Sequence, residues 1–156
     1  MECVIFTGIQ ASGKSTFYKE RYVDTHLRLN MDMLRTRYRE KLLLDALLEA
    51  KQPFVVDNTN PLPEDRHLYI EAAKSHRFTV VGFYFAPDYE ESVRRNNLRT
   101  GKSFVREIGI RSVLKNLVPP AYGEGFDELY TVTSENGLFT VERTADTPAA
   151  PGEAEY

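Results

Sequence analysis

A single cysteine, Cys3, stands in the 156 residues, so no internal disulfide can brace the fold. It falls within an apolar run, where a buried core thiol is expected rather than a nucleophile. No apolar stretch is long enough to span a bilayer, and Met1-Glu2 opens no basic, apolar leader; the expectation is a cytoplasmic protein with no membrane partner. His26, His67 and His76 lack a Cys or His partner at metal-ligand spacing, which argues against a zinc-type centre. No internal repeat is visible, and the length suits one domain with a real core but no second catalytic domain.

Nor is there an excess of positive charge, the simplest mark of a nucleic-acid binder: the net charge is −3. Its distribution is uneven. Residues 1–122 hold 19 Lys plus Arg against 15 Asp plus Glu, whereas residues 123–156 hold one against eight. A mildly basic body with an acidic end permits an anionic substrate without requiring one.

What the chain does have is Gly8-Ile9-Gln10-Ala11-Ser12-Gly13-Lys14-Ser15, two glycines separated by four residues and followed by Lys and a hydroxyl residue. An apolar β-type run, Cys3 to Thr7, precedes it and a helix-compatible run from Thr16 follows, the setting in which such a loop cradles phosphate. Gly8 and Gly13 allow backbone that a Cβ would forbid. The amides around Gln10, Ala11, Ser12 and Gly13 can then converge on an anion at a helix N-terminus. Lys14 supplies a point charge for β/γ-phosphate oxygens, and the Ser15 hydroxyl suits a hard Mg²⁺ that keeps most of its waters. ATP with Mg²⁺ is the default ligand, since no base-selecting feature is visible.

Along the chain, strands are expected at Leu27–Asn30, Phe54–Asp57, Phe78–Phe85 and Leu129–Thr133, alternating with helices over 32–51, 63–75, 88–98 and 105–117. Leu42-Leu43-Leu44 and Leu47-Leu48 are expected to face the core. Asn136-Gly137 carries a hairpin signal, so Leu138 to Glu142 should pair antiparallel with the fifth strand. The fold class is therefore α/β, a sandwich around a mainly parallel five-stranded sheet with a C-terminal antiparallel hairpin strand. Residues 1–143 form the domain, and 144–156, rich in Ala, Pro, Gly and Glu, are expected to be a disordered acidic tail.

Three constellations could carry chemistry. Asp32 and Arg35 lie three apart in the expected helix after the second strand, and can be read as an acceptor base and an acceptor-phosphate clamp or as an ordinary exposed pair. Asp57 ends an apolar strand and is either linked to Mg²⁺ through water or a cap for the Asn-Thr-Asn-Pro turn. Arg95 and Arg99, four apart, crowd like charges that a triphosphate would relieve; Arg95 could equally pair with Glu91. Gly101 nearby suits a hinged lid laying an arginine on the transferring phosphoryl group.

The phosphate loop with Thr16 behind it, Asp32-Met33-Leu34-Arg35, Asp57-Asn58-Thr59-Asn60 and Arg95-Asn96-Asn97-Leu98-Arg99 together resemble the kinase domain of the phage-type polynucleotide kinases among the small P-loop kinases. The likeness covers roughly residues 1–118. It implies Gly8, Gln10, Ala11, Ser12, Gly13, Lys14, Ser15 and Thr16 with Arg95 and Arg99 on the nucleotide, Ser15 and Asp57 toward Mg²⁺, Asp32 as general base, Arg99 as lid arginine and Arg35 on the acceptor. ATP-dependent phosphorylation of the 5′-hydroxyl of RNA or DNA is the expected activity. The fold also serves kinases of sugars, nucleosides and nucleotide sugars, so a small hydroxylated acceptor is the alternative, and an ATP-binding adaptor without transfer a third. Nothing after residue 118 resembles the 3′-phosphatase domain of the phage enzyme.

Overall fold

A computed structural model describes residues 1–146. Its chain order is β1 (Glu2–Thr7), α1 (Lys14–Arg21), β2 (Leu27–Leu29), α2 (Met31–Leu34), α3 (Arg37–Ala50), β3 (Phe54–Val56), α4 (Pro63–Ser75), β4 (Thr79–Phe85), α5 (Tyr89–Asn97), α6 (Glu107–Asn116), β5 (Glu128–Glu135) and β6 (Leu138–Arg143). The six strands form one sheet in the order β2-β3-β1-β4-β5-β6, parallel throughout except for β6, which runs antiparallel to β5 after the Asn136-Gly137 turn. This is an α/β sandwich around a mainly parallel sheet, as the alternation of elements suggested.

Period-two geometry divides β1 between two cores. Cys3 and Ile5 point to the face covered by α3 and α4, with Leu44, Leu48, Ile70 and Phe78. Val4 and Phe6 point to the opposite face, with Phe17 of α1 and with Phe83 and Phe85 of β4. Burying one such side chain contributes about 1.5–3 kcal/mol, so the strand that carries the phosphate loop is firmly held. Its neighbours β3 and β4 are reached in opposite directions along the sheet. The crevice at the carboxyl end of β1 is therefore the switch point at which open α/β sheets receive ligands.

The helix expected over 32–51 is two helices. Arg35 has φ +73°, which closes α2 after one turn, and Thr36 restarts the chain as N-cap of α3, its Oγ1 accepting from the Arg39 amide at 3.2 Å. Asp32 and Arg35 consequently do not share a helical face. Leu42 is exposed; Leu44, Leu47 and Leu48 are buried in the core and Leu43 packs against it partly buried. At the far end the Thr144 amide donates to the Leu129 carbonyl at 2.8 Å and its carbonyl accepts from the Tyr122 hydroxyl. Chain-to-sheet bonding thus reaches Thr144, one residue into the expected tail, while residues 147–156 lie outside the described residues. Among the described residues no helix is long and apolar enough to cross a membrane.

Candidate active site

The loop between β1 and α1 is built from close approaches. A Cβ on Gly8 would lie 2.8 Å from the Phe85 Cβ, and Gly13 has φ +98° with Phe139 of β6 packed over it, 2.9 Å from where a Cβ would be. Ala11 also takes a left-handed conformation, strain of a kind concentrated at functional sites. The Gly8 amide donates to the Thr59 carbonyl at 3.0 Å and the Asn60 amide group donates to the Phe6 carbonyl at 2.9 Å, so the 57–60 turn is stitched to the loop. Arg66 secures that turn from behind: fully buried, it makes a two-pronged pair with Glu124 and donates to the Asn60 and Val118 carbonyls.

Lys14 folds into the loop, its Nζ donating to the carbonyls of Gly8 at 2.9 Å and Ile9 at 2.7 Å. Burial pulls its ammonium down to about 8; the Asp57 carboxylate opposes that, the Arg99 guanidinium adds to it and Asp32 opposes it. Asp57, Arg99 and Asp32 are thus all near enough to act on the Lys14 charge. Buried polar atoms without a partner cluster on the same loops: Thr7 Oγ1, Gln10 Oε1 and Asn58 Nδ2. Of these, the Thr7 hydroxyl and the Asn58 Nδ2 can donate to a bound anion, whereas Gln10 Oε1 is an acceptor and calls for a donor.

Asp32 sits exposed in the first turn of α2 and is aimed by two asparagines. Asn30 caps α2, its Oδ1 accepting from the Met33 amide at 3.1 Å, and its Nδ2 donates to the Asp57 carbonyl at 2.6 Å. Asn58 Oδ1 accepts from the Met31 amide at 3.0 Å. Neither role was apparent in the sequence, although Asn before a short helix is a recognised cap signal. Arg35 is exposed at the break that follows.

Asp57 is buried, and Ser15 Oγ donates to its Oδ2 at 3.1 Å. One hydroxyl and one carboxylate suit Mg²⁺, which takes its remaining ligands from water and phosphate; among the described residues there is no cluster of three carboxylate, His or Cys ligands. The unanticipated neighbour is Arg28 of β2, whose Nε donates to Asp57 Oδ2 at 2.8 Å. An arginine between two leucines in a strand looks like simple in-out alternation, so no sequence signal marked it.

Arg95 and Arg99 flank the loop from the α5 side. Arg95 pairs with Glu91 at 3.0 Å, the bland alternative, but also donates to Ser134 Oγ at 2.9 Å, and its Nη1 lies 3.5 Å from where a Gly13 Cβ would be. Among the described residues Arg99 donates only to the Ser103 carbonyl. Between them, Asn96 is buried and brackets Val105, accepting from its amide at 2.9 Å and donating to its carbonyl. This clasp closes the segment carrying Arg99 and Lys102 into a loop, with Gly101 at φ +60° starting a single 3₁₀ turn. The helix expected from Val105 starts at Glu107 for the same reason. Thr16 is exposed on α1.

The chain is 30% identical over 137 residues to the bifunctional polynucleotide phosphatase/kinase of Schizosaccharomyces pombe, a match covering 84% of this chain and 33% of that protein. The chain resembles the polynucleotide phosphatase/kinases. It spans about a third of the length of the curated relatives it matches. No protein-family model matches it. Among solved structures, Chaetomium thermophilum Kti12, in complex with ADP-AlF3, superposes with a TM-score of 0.61 at 16% identity, covering 86% of this chain and 90% of that one. A gluconokinase from Sinorhizobium meliloti gives 0.58 at 18% identity, covering 85% and 82%. These two likenesses concern the fold.

The depressed Lys14 ammonium has a direct consequence for ligand binding. Above about pH 8 the free site holds a neutral amine, whereas a triphosphate favours the cation and raises the value again. ATP affinity should be flat below pH 8 and fall as pH rises beyond it, with proton uptake on binding in that upper range. Calorimetry at pH 7, 8, 9 and 10 in two buffers of different ionisation enthalpy checks this. Flat affinity up to pH 10 would mean that Lys14 does not meet the phosphates.

Proposed function

We propose that the chain is an ATP-dependent kinase that phosphorylates a 5′-hydroxyl of RNA or DNA. The observation that carries this reading is the 30% identity, across 84% of the chain, to a polynucleotide phosphatase/kinase. The influence of the Asp57, Arg99 and Asp32 charges on Lys14 is consistent with it. The loop amides and Lys14 hold the donor phosphates. Ser15 and Asp57 would hold Mg²⁺, which would offset charge on the β- and γ-oxygens when bound. Asp32 takes the proton of the acceptor hydroxyl, whose oxygen attacks the γ-phosphorus as the bond to the β-γ bridging oxygen breaks and ADP leaves. Arg99, with Arg95 at the donor side, stabilises the charge that spreads over the γ-oxygens.

Arg35 sets the acceptor. It stands three residues from the base, past the end of α2, exposed and with no side-chain hydrogen bond among the described residues. A guanidinium there can grip the phosphate following the attacked nucleoside. An oligonucleotide or nucleoside 3′-monophosphate should then be phosphorylated roughly 10- to 150-fold better in kcat/KM than the bare nucleoside, the equivalent of about 1.5–3 kcal/mol for a charge-assisted contact. Arg35→Ala should erase most of that preference. The comparison is made with labelled ATP over 5′-hydroxyl oligonucleotides, nucleosides, 3′-monophosphates and sugars. Efficient transfer to a sugar or bare nucleoside, with oligonucleotides ignored, would replace this reading with a small-molecule kinase; ATP binding with no transfer at all would favour the adaptor.

A further inference from the structure

Arg28 does more than pair with a neighbour. Its Nε donates to Asp57 Oδ2 and its Nη2 to Ser15 Oγ, both at 2.8 Å, while Ser15 Oγ donates to the same carboxylate oxygen. A guanidinium therefore bridges the one hydroxyl and the one carboxylate that suit Mg²⁺. Asp57 is only 2% exposed and Arg28 26%, so this is no solvated surface pair. The guanidinium carbon lies 5.9 Å from the centre of the Tyr18 ring, and the Tyr18 hydroxyl is itself pinned to the His26 carbonyl at 2.6 Å. The backbone beneath is fixed too, the Asp57 amide donating to the Leu29 carbonyl at 2.8 Å.

Two cations cannot share this position. A dication coordinated by Ser15 would have only the second lone pair of a hydroxyl that already accepts from Arg28 Nη2, and Coulomb repulsion from a guanidinium a few ångströms away opposes it beside the buried Asp57. Yet without any cation, the buried Asp57 carboxylate beside an incoming phosphate would repel the nucleotide.

We propose that Arg28 is a built-in stand-in for the metal: it neutralises Asp57 and orients Ser15 so that the loop accepts a metal-free nucleoside di- or triphosphate, and it must leave Asp57 when Mg²⁺ enters. This rests on the reading of the loop as a magnesium-nucleotide site. It makes nucleotide capture and metal capture separable events, ordered by one side chain.

Binding of a fluorescent ADP analogue, in EDTA and in excess Mg²⁺, tests it with Arg28→Met, which keeps an apolar stem and removes the charge. The variant should lose metal-free affinity by about 10-fold or more, the scale of a lost charge-assisted contact. Mn²⁺ affinity of its nucleotide complex, read by electron paramagnetic resonance, should rise by a similar factor. Arg28→Lys should fall between variant and wild type. Equal loss of affinity with and without metal would indicate a merely structural arginine and overturn the proposal, as would no change in either condition. Wild-type protein that binds no nucleotide in either condition would overturn the magnesium-nucleotide reading itself, and the proposal with it. A readout without mutation is the Arg28 Nε–H resonance of the wild type. It should be protected from exchange in the free protein and the metal-free ADP complex, and lose protection on Mg²⁺ titration; protection that persists at saturating Mg²⁺ overturns the proposal.

Discussion

Lys14→Ala should eliminate phosphoryl transfer yet leave the free protein as stable at neutral pH as the wild type, or more so. The two halves of this expectation have one origin. The ammonium is held in a buried position that pulls it down to about 8, so at neutral pH folding keeps a charge where the protein disfavours it. Its compensations are the Gly8 and Ile9 carbonyls, which accept from it, and the Asp57 and Asp32 carboxylates, which favour its charge. Removing the amine relieves the desolvation and forfeits those bonds, two opposing effects of similar kind. For the reaction no such offset exists. Charge growing on the γ-phosphoryl oxygens loses the principal side-chain cation, and a lost electrostatic group of that kind costs on the order of 10²–10³-fold in kcat. ATP should also bind more weakly, though the backbone cradle survives. Thermal melts with and without ATP, beside single-turnover transfer, separate the effects: a variant that melts well below the wild type would show that Lys14 is structural, and one with equal turnover would remove the loop from the chemistry.

Asp32→Asn should lower kcat by about 10²- to 10⁴-fold, the range for loss of a general base, and change ATP affinity no more than a few-fold. The substitution is close to isosteric, and the geometry around it does not depend on the carboxylate. Asn30 supplies the cap of α2 and Asn58 anchors the Met31 amide, both independent of the Asp32 side chain. What disappears is an oxygen able to take a proton. A rate deficit that survives saturating acceptor assigns the loss to the chemical step, whereas a pure rise in acceptor KM would make Asp32 a binding group. Unchanged turnover would return it to the class of ordinary exposed carboxylates.

The legibility of this site in the sequence follows the range of the interactions that make it. Gly8 to Ser15 is readable because the cradle is local: each residue acts through its own backbone or over a few positions. The helix from Pro63 is readable for the same reason, with proline at its first position and the Asp65 carboxylate accepting the Leu62 amide. The break at Arg35 was hidden by a helix-like residue pattern on either side, although Thr36 offered a cap that could have been read as a restart. Arg28 was beyond reach altogether, because its meaning depends on Asp57, 29 residues away just past the end of the adjoining strand. Arg66 and its hold on Glu124, 58 positions on, escaped on the same grounds.

The Asn96 clasp on Val105 bears on how such a chain can diversify. With both ends of the intervening segment tied by one side chain, its length is uncoupled from the sheet. Gly101 at its tip has open space where a Cβ would stand. Each doubling of a flexible loop adds only about 0.6 kcal/mol of closure entropy, far less than a disturbance of β1 or its two cores. Residues inserted at that tip would lengthen the segment that carries Arg99 and Lys102 while β1 and the Gly8–Ser15 loop keep their geometry, so this segment can vary at little risk to the fold.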